Sequence, residues 1–167
     1  MPSMDATDAR LLLALAESPR ASVLALSQRL GISRNTVQAR LAGLEERGVL
    51  GSFERRIDPA ALGYPLTAFV SMQLVQQRLA EVAAALHRVP EVVEVLGLSG
   101  EADLLCQVVA RDADDLYRIA GHLLAIDGVE RTTTSLVMRR LVGHRMAPLL
   151  ERITGPVPGA PSGPRSG

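Results

Sequence analysis

Two short amphipathic segments within residues 22–47 are separated by the triplet Gly31-Ile32-Ser33, and this spacing constrains the fold strongly. Ser33 is a favourable helix N-cap, because its hydroxyl can accept a hydrogen bond from a first-turn amide. Gly48 suits the left-handed residue that commonly ends a helix. The sequence therefore predicts a helix from Arg34 to Arg47, packed on the preceding helix in a helix-turn-helix. Its buried stripe consists of Val37, Leu41 and Leu44.

The opposite face of this second helix carries short and hydrogen-bonding side chains. At about 100° per residue, Asn35 and Ala39 point directly away from the buried stripe. Amide side chains can pair with adenine and arginine with guanine or phosphate, while a small alanine lets a helix enter a groove. The face therefore predicts a DNA-reading surface. Its expected contact residues are Ser22, Ser33, Arg34, Asn35, Thr36, Gln38, Arg40 and Arg55.

Ordinary helical hairpins share this spacing, so the interpretation needs the flanking sequence. Residues 5–17 have the apolar spacing of a first helix, which would complete a three-helix core. Val49 to Ile57 is predicted to be a short extended wing or linker that carries two arginines. Between Arg20 and Arg56 the chain has seven arginines and three glutamates, a local charge of +4. Such charge supplies affinity for phosphate and favours DNA binding.

The charge of the whole chain is zero, but it is distributed unevenly. Residues 1–63 carry +1, residues 64–138 carry −5 and residues 139–167 carry +4. We do not expect the acidic middle part to contact DNA. With 167 residues and 47% hydrophobic content, the chain is long enough for two small folded domains.

Cysteine usage and hydropathy predict the compartment. The single Cys106 lies in an apolar run, so it is predicted to be a core residue and no disulfide framework is expected. No apolar run reaches the length of a membrane span, and no basic-then-apolar leader precedes the first helix. We therefore expect a cytoplasmic protein without a membrane partner.

Alternating and helical patterns after residue 66 predict a βαββαβ domain. The expected strands are 67–75, 91–98, 102–110 and 129–138, and the expected helices are 79–89 and 112–126. This order is the ferredoxin-like arrangement, so the predicted class is α+β: a winged helix-turn-helix followed by a ferredoxin-like domain. Two helices cover only one face of such a sheet, which favours self-association through the other. The predicted boundaries are 1–57, a linker at 58–66, a second domain at 67–152 and a disordered tail at 153–167.

Several stretches, in this order and spacing, resemble the Lrp/AsnC (feast/famine) family of transcriptional regulators. They are Met4 to Asp8, Leu44 to Leu50, Asp58 to Gly63 and the hairpin Gly97 to Asp103, which reads GLSGEAD. The resemblance covers about residues 4–150. It implies a DNA-binding domain followed by the AsnC-type βαββαβ domain also called RAM, and a homodimer assembled into tetramers or octamers.

The resemblance also implies that an amino acid binds where dimers meet. The glycines of the hairpin allow close approach to a ligand, and Asp103 has the charge to hold an ammonium group. Ala102 stands where many relatives have an aromatic residue, which favours a neutral or branched-chain amino acid. No cofactor or metal is expected. The predicted effector residues are Gly97, Ser99, Gly100, Asp103, Thr132 and Thr134.

Three alternatives stay open. Gly97 and Gly100 can simply shape a turn that Asp103 caps, in which case the protein has no effector. Sirohaem decarboxylases resemble the same two-domain arrangement, but His87, His122 and His144 have no metal-ligand spacing. A DNA-compacting architectural protein with little sequence specificity is the third alternative.

Overall fold

The computed structural model describes residues 4–155 and divides them into two compact units. The first unit combines the chain up to Arg55 with the chain from Val142 onward, and the second is Arg56–Leu141. The N-terminal unit is therefore discontinuous in sequence. Within residues 4–155, no helix combines the length and hydropathy that crossing a membrane requires.

Three helices form the core of the first unit: α1 (Ala6–Glu17), α2 (Val23–Leu30) and α3 (Arg34–Glu46). Each helix begins after a polar N-cap residue whose side chain accepts hydrogen bonds from backbone amides of the first turn. These N-cap residues are Asp5, Ser22 and Ser33. Gly48 has φ +67°, so the predicted left-handed residue after α3 is confirmed. The buried side chains that join the three helices are Leu11, Ala14, Leu26, Val37 and Leu44.

The segment after α3 differs from the extended wing or linker that the sequence predicts. Phe53–Arg56 forms a single 3-10 turn, in which the Arg55 amide donates to the Ser52 carbonyl over 3.3 Å. Among its described residues, the first unit contains no strand with which an extended segment could pair. Without such a partner, the backbone hydrogen bonds are satisfied locally.

The second unit is a four-stranded antiparallel sheet covered by two helices. Its strands are β1 (Leu66–Leu74), β2 (Val92–Gly97), β3 (Leu104–Ala110) and β4 (Val129–Leu136), in the order β2-β3-β1-β4. The helices α4 (Leu79–His87) and α5 (Ala113–Leu124) follow β1 and β3. This is the predicted ferredoxin-like topology.

One face of this sheet forms the core of the second unit. Alternate β1 residues Ala68, Val70, Met72 and Leu74 are buried with helix residues that include Val82 and Ile119. Cys106 lies in the same cluster, and its Sγ is 3.9 Å from Met72 Sδ. Burial raises the pKa of the Cys106 thiol to about 11, as expected for a core cysteine rather than a nucleophile.

The C-terminal boundary predicted from sequence is wrong. A short helix, α6 (Ala147–Thr154), contacts α1 and belongs to the first unit, whereas the sequence assigns residues up to 152 to the second domain. Leu150 is buried, and Ala9 of α1 is buried completely without belonging to the three-helix core. The helix therefore gains its stability from packing on α1. Residues 156–167, the rest of the predicted tail, lie outside the described residues.

Candidate nucleic-acid interface and ligand pocket

The exposed face of α3 has the composition that the sequence predicts. Asn35, Gln38 and Ala39 are all exposed. Within residues 4–155, neither the side-chain amide of Asn35 nor that of Gln38 takes part in a hydrogen bond, so both side chains are free for a partner. Arg34, at the N-terminal end of the same helix, is exposed and has no ion pair among the described residues.

Ser22 and Ser33, which the sequence proposes as DNA contacts, have structural roles as caps. Ser22 Oγ accepts from the Ala25 amide at 3.2 Å, and Ser33 Oγ accepts from the Thr36 amide at 3.1 Å. The hydroxyls of Ser33 and Thr36 also share a hydrogen bond of 2.8 Å. These hydrogen bonds fix the first turn of α3. Arg55, another predicted DNA contact, is exposed on the 3-10 turn Phe53–Arg56.

Arg40, which the sequence predicts to contact DNA, forms ion pairs that the sequence does not predict. Its guanidinium donates to Asp5 at 2.6 Å and to the buried Asp8 at 2.7 Å, and Arg47 reaches Asp8 at 3.1 Å. The Asp8 amide and the Arg40 guanidinium lower the pKa of Asp5. The hydrogen bonds that Arg40 donates to the Asp5 and Asp8 carboxylates in turn raise the pKa of Arg40. Arg40 therefore ties α3 to the start of α1.

An open groove of about 610 Å³ runs between the start of α1 and the exposed face of α3. Asn35, Thr36 and Ala39 line it from α3, and Asp5 and Asp8 line it from α1. The ion pairs that cross between these two helices hold the exposed face of α3 in a fixed orientation.

The α1 carboxylates also change the local charge. Arg29 pairs with Glu17, and Arg40 and Arg47 pair with Asp5 and Asp8. These three acids precede Arg20, so they do not enter the +4 counted from the sequence. The helix-turn-helix consequently has much less free positive charge than its sequence predicts.

In the second unit, the hairpin between β2 and β3 is exposed at Gly97, Ser99 and Gly100. Gly100 has φ +137°, a conformation that favours glycine, whereas Gly97 is an ordinary strand residue opposite Leu104. Only Gly100 is therefore required by backbone geometry.

The Asp103 carboxylate is held by hydrogen bonds within its own chain. One carboxylate oxygen accepts from the Leu74 amide at 2.8 Å, and the other accepts from the Gln76 side chain. The Asp103 amide donates to the Met72 carbonyl at 2.8 Å, and the Gln73 side chain donates to the Glu101 carbonyl at 3.1 Å. Asp103 thus fastens the hairpin to the end of β1, a role that the sequence also leaves open.

Thr132 and Thr134 are not brought together with the hairpin loop. They lie opposite Met72 and Val70, so their side chains are on the helix-covered face of the sheet. The open face instead presents their neighbours Arg131 and Thr133, which lie opposite Gln73 and Ser71. A pocket of about 180 Å³ opens there. It is lined by Ser71, Met72, Gln73, Glu101, Ala102, Arg131 and Thr133.

Sequence reasoning missed Arg131 and Thr133, although a signal was present. The alternation of β1 already assigns Ser71 and Gln73 to the outer face. The register of β1 with β4 is the additional fact that pairs them with Thr133 and Arg131.

Elsewhere, His87, His122 and His144 are exposed, and residues 4–155 contain no metal-binding group of three or more His, Cys, Asp or Glu side chains.

Both parts of the chain match known family models. Residues 67–147 match the Lrp/AsnC ligand-binding domain, and residues 4–45 match the AsnC-type helix-turn-helix domain. The chain is 35% identical to the regulator AldR of Mycolicibacterium smegmatis, with 84% of each chain covered. It belongs to the Lrp/AsnC family. The regulator FL11 of Pyrococcus horikoshii is 30% identical over 81% of this chain and 90% of FL11.

Solved structures agree with the Lrp/AsnC assignment. A transcriptional regulator of Neisseria meningitidis in complex with L-Met matches 84% of this chain and 94% of its own, with a TM-score of 0.74 and 26% identity. AsnC of E. coli, at 23% identity, has the same fold with a TM-score of 0.78. The protein is therefore a transcriptional regulator with a DNA-binding helix-turn-helix and a ligand-binding domain, and the predicted family and α+β fold class are confirmed.

Proposed function

We propose that this Lrp/AsnC regulator recognises a specific operator sequence through the exposed face of α3. The free side-chain amides of Asn35 and Gln38, on the same exposed face as Ala39, carry the proposal. Two unbonded amides at the N-terminal half of a helix are suited to adenine edges in a major groove. Arg34 supplies a charge for guanine or phosphate at the same end.

Replacing Gln38 with alanine should weaken binding to the operator by about 1 to 3 kcal/mol, because an amide-to-base contact is lost. Affinity for random duplex should change little, since a neutral side-chain amide lacks the charge that supplies most non-specific affinity for phosphate. The operator is first selected from a random duplex pool with the wild-type chain, and anisotropy titrations then compare both duplexes. Gln77→Ala, an exposed glutamine of the second unit, is the matched control. Equal losses on the two duplexes would mean that Gln38 reads no base.

We also propose that the second unit binds an amino acid effector, with the neutral class favoured. The neighbour from N. meningitidis in complex with L-Met supports the ligand class. In this chain, the pocket beside the hairpin contains Arg131, which has no ion pair among residues 4–155, together with the exposed Glu101. A cation and a carboxylate around one pocket match the two charges of an α-amino acid. Ala102 leaves that pocket without an aromatic side chain.

The open sheet face supports a homodimer and higher assembly. Phe69 and Leu96 are 37% and 45% exposed on it, and Leu105 is half-buried between Ser71 and Leu96 in register. An apolar face of this kind is stabilised by a second copy. Because the ligand pocket opens on the same face, an effector bound there would be sensitive to how copies associate. Tetramers or octamers would follow from further contacts between such dimers.

A panel of amino acids should separate responsive from unresponsive variants. We expect at least one neutral amino acid at millimolar concentration to raise the melting temperature of the wild type or shift its sedimentation distribution, because a ligand stabilises the state that binds it. Arg131→Ala should not respond, whereas Arg88→Ala, another exposed arginine without an ion pair among the described residues, should behave as the wild type.

Two results would contradict the effector proposal. If no amino acid changes either quantity in the wild type, the protein is an effector-independent member of its family. If Arg131→Ala responds normally, the ligand is not held at this pocket. Asp103→Ala is a poor probe, because it leaves the Leu74 amide without its acceptor and loosens the hairpin.

A further inference from the structure

Ion pairs engage three arginines of the helix-turn-helix, which lowers the number of free cations that it can offer to phosphate. Arg29, Arg40 and Arg47 are neutralised by acids of α1. Affinity for duplex DNA depends largely on how many phosphates are neutralised by free cations. Additional free cations near this unit would therefore increase its affinity for DNA.

Such cations are found in residues 139–145, which read RRLVGHR and are named here the basic arm. The arm contains Arg139, Arg140 and Arg145, and all three are exposed. No ion pair joins any of them to a carboxylate within residues 4–155. The arm forms neither helix nor strand, so its side chains are not committed to secondary-structure packing.

The C-terminal part of the arm, from Val142, is attached to the DNA-binding unit, whereas Arg139 and Arg140 lie at the C-terminal end of the second unit. The arm is followed within two residues by α6, which contacts α1 and buries Leu150. The chain from Val142 onward therefore belongs to the same compact unit as the helix-turn-helix. Anchoring by α6 keeps Arg145 with that unit whatever the conformation of the arm.

We propose that the basic arm is a second DNA-binding element, which binds backbone phosphates while α3 reads bases. This inference rests on the proposed binding of operator DNA and extends it to a different part of the chain. Arginine binds phosphate through charge and hydrogen bonds that carry no sequence information, so the arm adds affinity without adding specificity.

The second unit (Arg56–Leu141), which has a net negative charge and is called the acidic unit below, is a less suitable partner for the arm than DNA. Much of its negative charge is already engaged: Asp115 bonds with Arg111 and Arg118, and the same Arg118 holds Glu91. Arg78 likewise pairs with Glu81 and Asp127. These arginines compete with the arm for the same carboxylates, whereas the phosphates of a duplex are unpaired and regularly spaced.

The test is the salt dependence of DNA binding by the full chain. Each phosphate contact contributes about 0.9 to the slope of log affinity against log salt, so the triple variant Arg139→Ala, Arg140→Ala, Arg145→Ala should have a slope lower by about 2 to 3. The ratio of wild-type to variant affinity should then be about 40 times larger at about 50 mM salt than at about 200 mM. Operator and random duplex should be affected equally.

Two controls separate charge from structure. The triple lysine variant keeps the charges and should keep the wild-type slope, while Arg88→Ala, a free arginine of the acidic unit, should not change it. Circular dichroism melts and sedimentation of each variant are measured in the same buffers. An unchanged slope in the triple alanine variant would overturn the proposal. So would an altered assembly state without a change in slope, because the arm would then bind another copy. If the wild type binds no duplex, the proposed operator function itself fails.

Discussion

Ala39→Glu should reduce operator affinity by at least about 100-fold without unfolding the protein. Ala39 is exposed in the middle of α3, between Asn35 and Gly43 along the groove. A carboxylate at this position would meet the phosphates and base edges of a major groove, and unfavourable charge placed in an interface costs several kcal/mol. Binding to random duplex should fall as well, because the new charge repels any DNA sequence.

The matched control is Ala83→Glu, which places the same charge at an exposed helix position of the acidic unit. Anisotropy titrations with operator and random duplex measure the effect, and thermal melts check that both variants fold. If Ala39→Glu binds the operator as well as Ala83→Glu does, the middle of α3 does not enter the groove.

The second large effect is expected at Asp8, whose carboxylate is almost completely buried between Arg40 and Arg47. Asp8→Ala should destabilise the protein by about 2 to 4 kcal/mol, because it leaves the Arg40 charge without a buried partner. Arg40 would keep only its ion pair with the exposed Asp5, and its buried Nε has no hydrogen-bond partner among residues 4–155. Affinity for operator and random DNA should fall together, since α3 loses a contact that orients it on α1.

Urea denaturation measures this loss as a lower urea concentration at the unfolding midpoint, provided that the slope of unfolding free energy against urea concentration is unchanged. Glu46→Gln serves as the control, because it removes an exposed acid of α3 and should change stability by less than about 0.5 kcal/mol. A loss for Asp8→Ala no greater than that of the control would mean that the ion pairs contribute little to this unit.

Local patterns predicted the parts of the fold that depend on neighbouring residues. The predicted bounds of α3 differ from the observed ones by one residue, at its C-terminal end. They were derived from the N-cap Ser33, from Gly48 and from the buried stripe that includes Val37 and Leu44. The alternation from Ala68 to Leu74 located β1 in the same way, because side-chain direction repeats every two residues in a strand. Such signals are complete within a short window of sequence.

Distant contacts were not predictable in this way. Arg40 and its partner Asp8 are 32 residues apart, so charge counted from Arg20 onward missed the acid that neutralises it. The sequence analysis names Thr132 and Thr134, whereas Arg131 and Thr133 line the pocket beside the hairpin, because a shift of one residue exchanges the two faces of a strand. The short α6 contains Pro148 and is stabilised by α1, a contact that no local pattern reveals.

The contact between α6 and α1 has a consequence for biosynthesis. Residues 4–55 emerge from the ribosome early, yet α1 gains its contact with α6 only when residues 147–154 have been synthesised. The whole sheet unit is made in the interval, so it has the opportunity to fold first. A nascent chain thus completes its N-terminal unit last, after the whole ligand-binding unit of the same molecule has been synthesised.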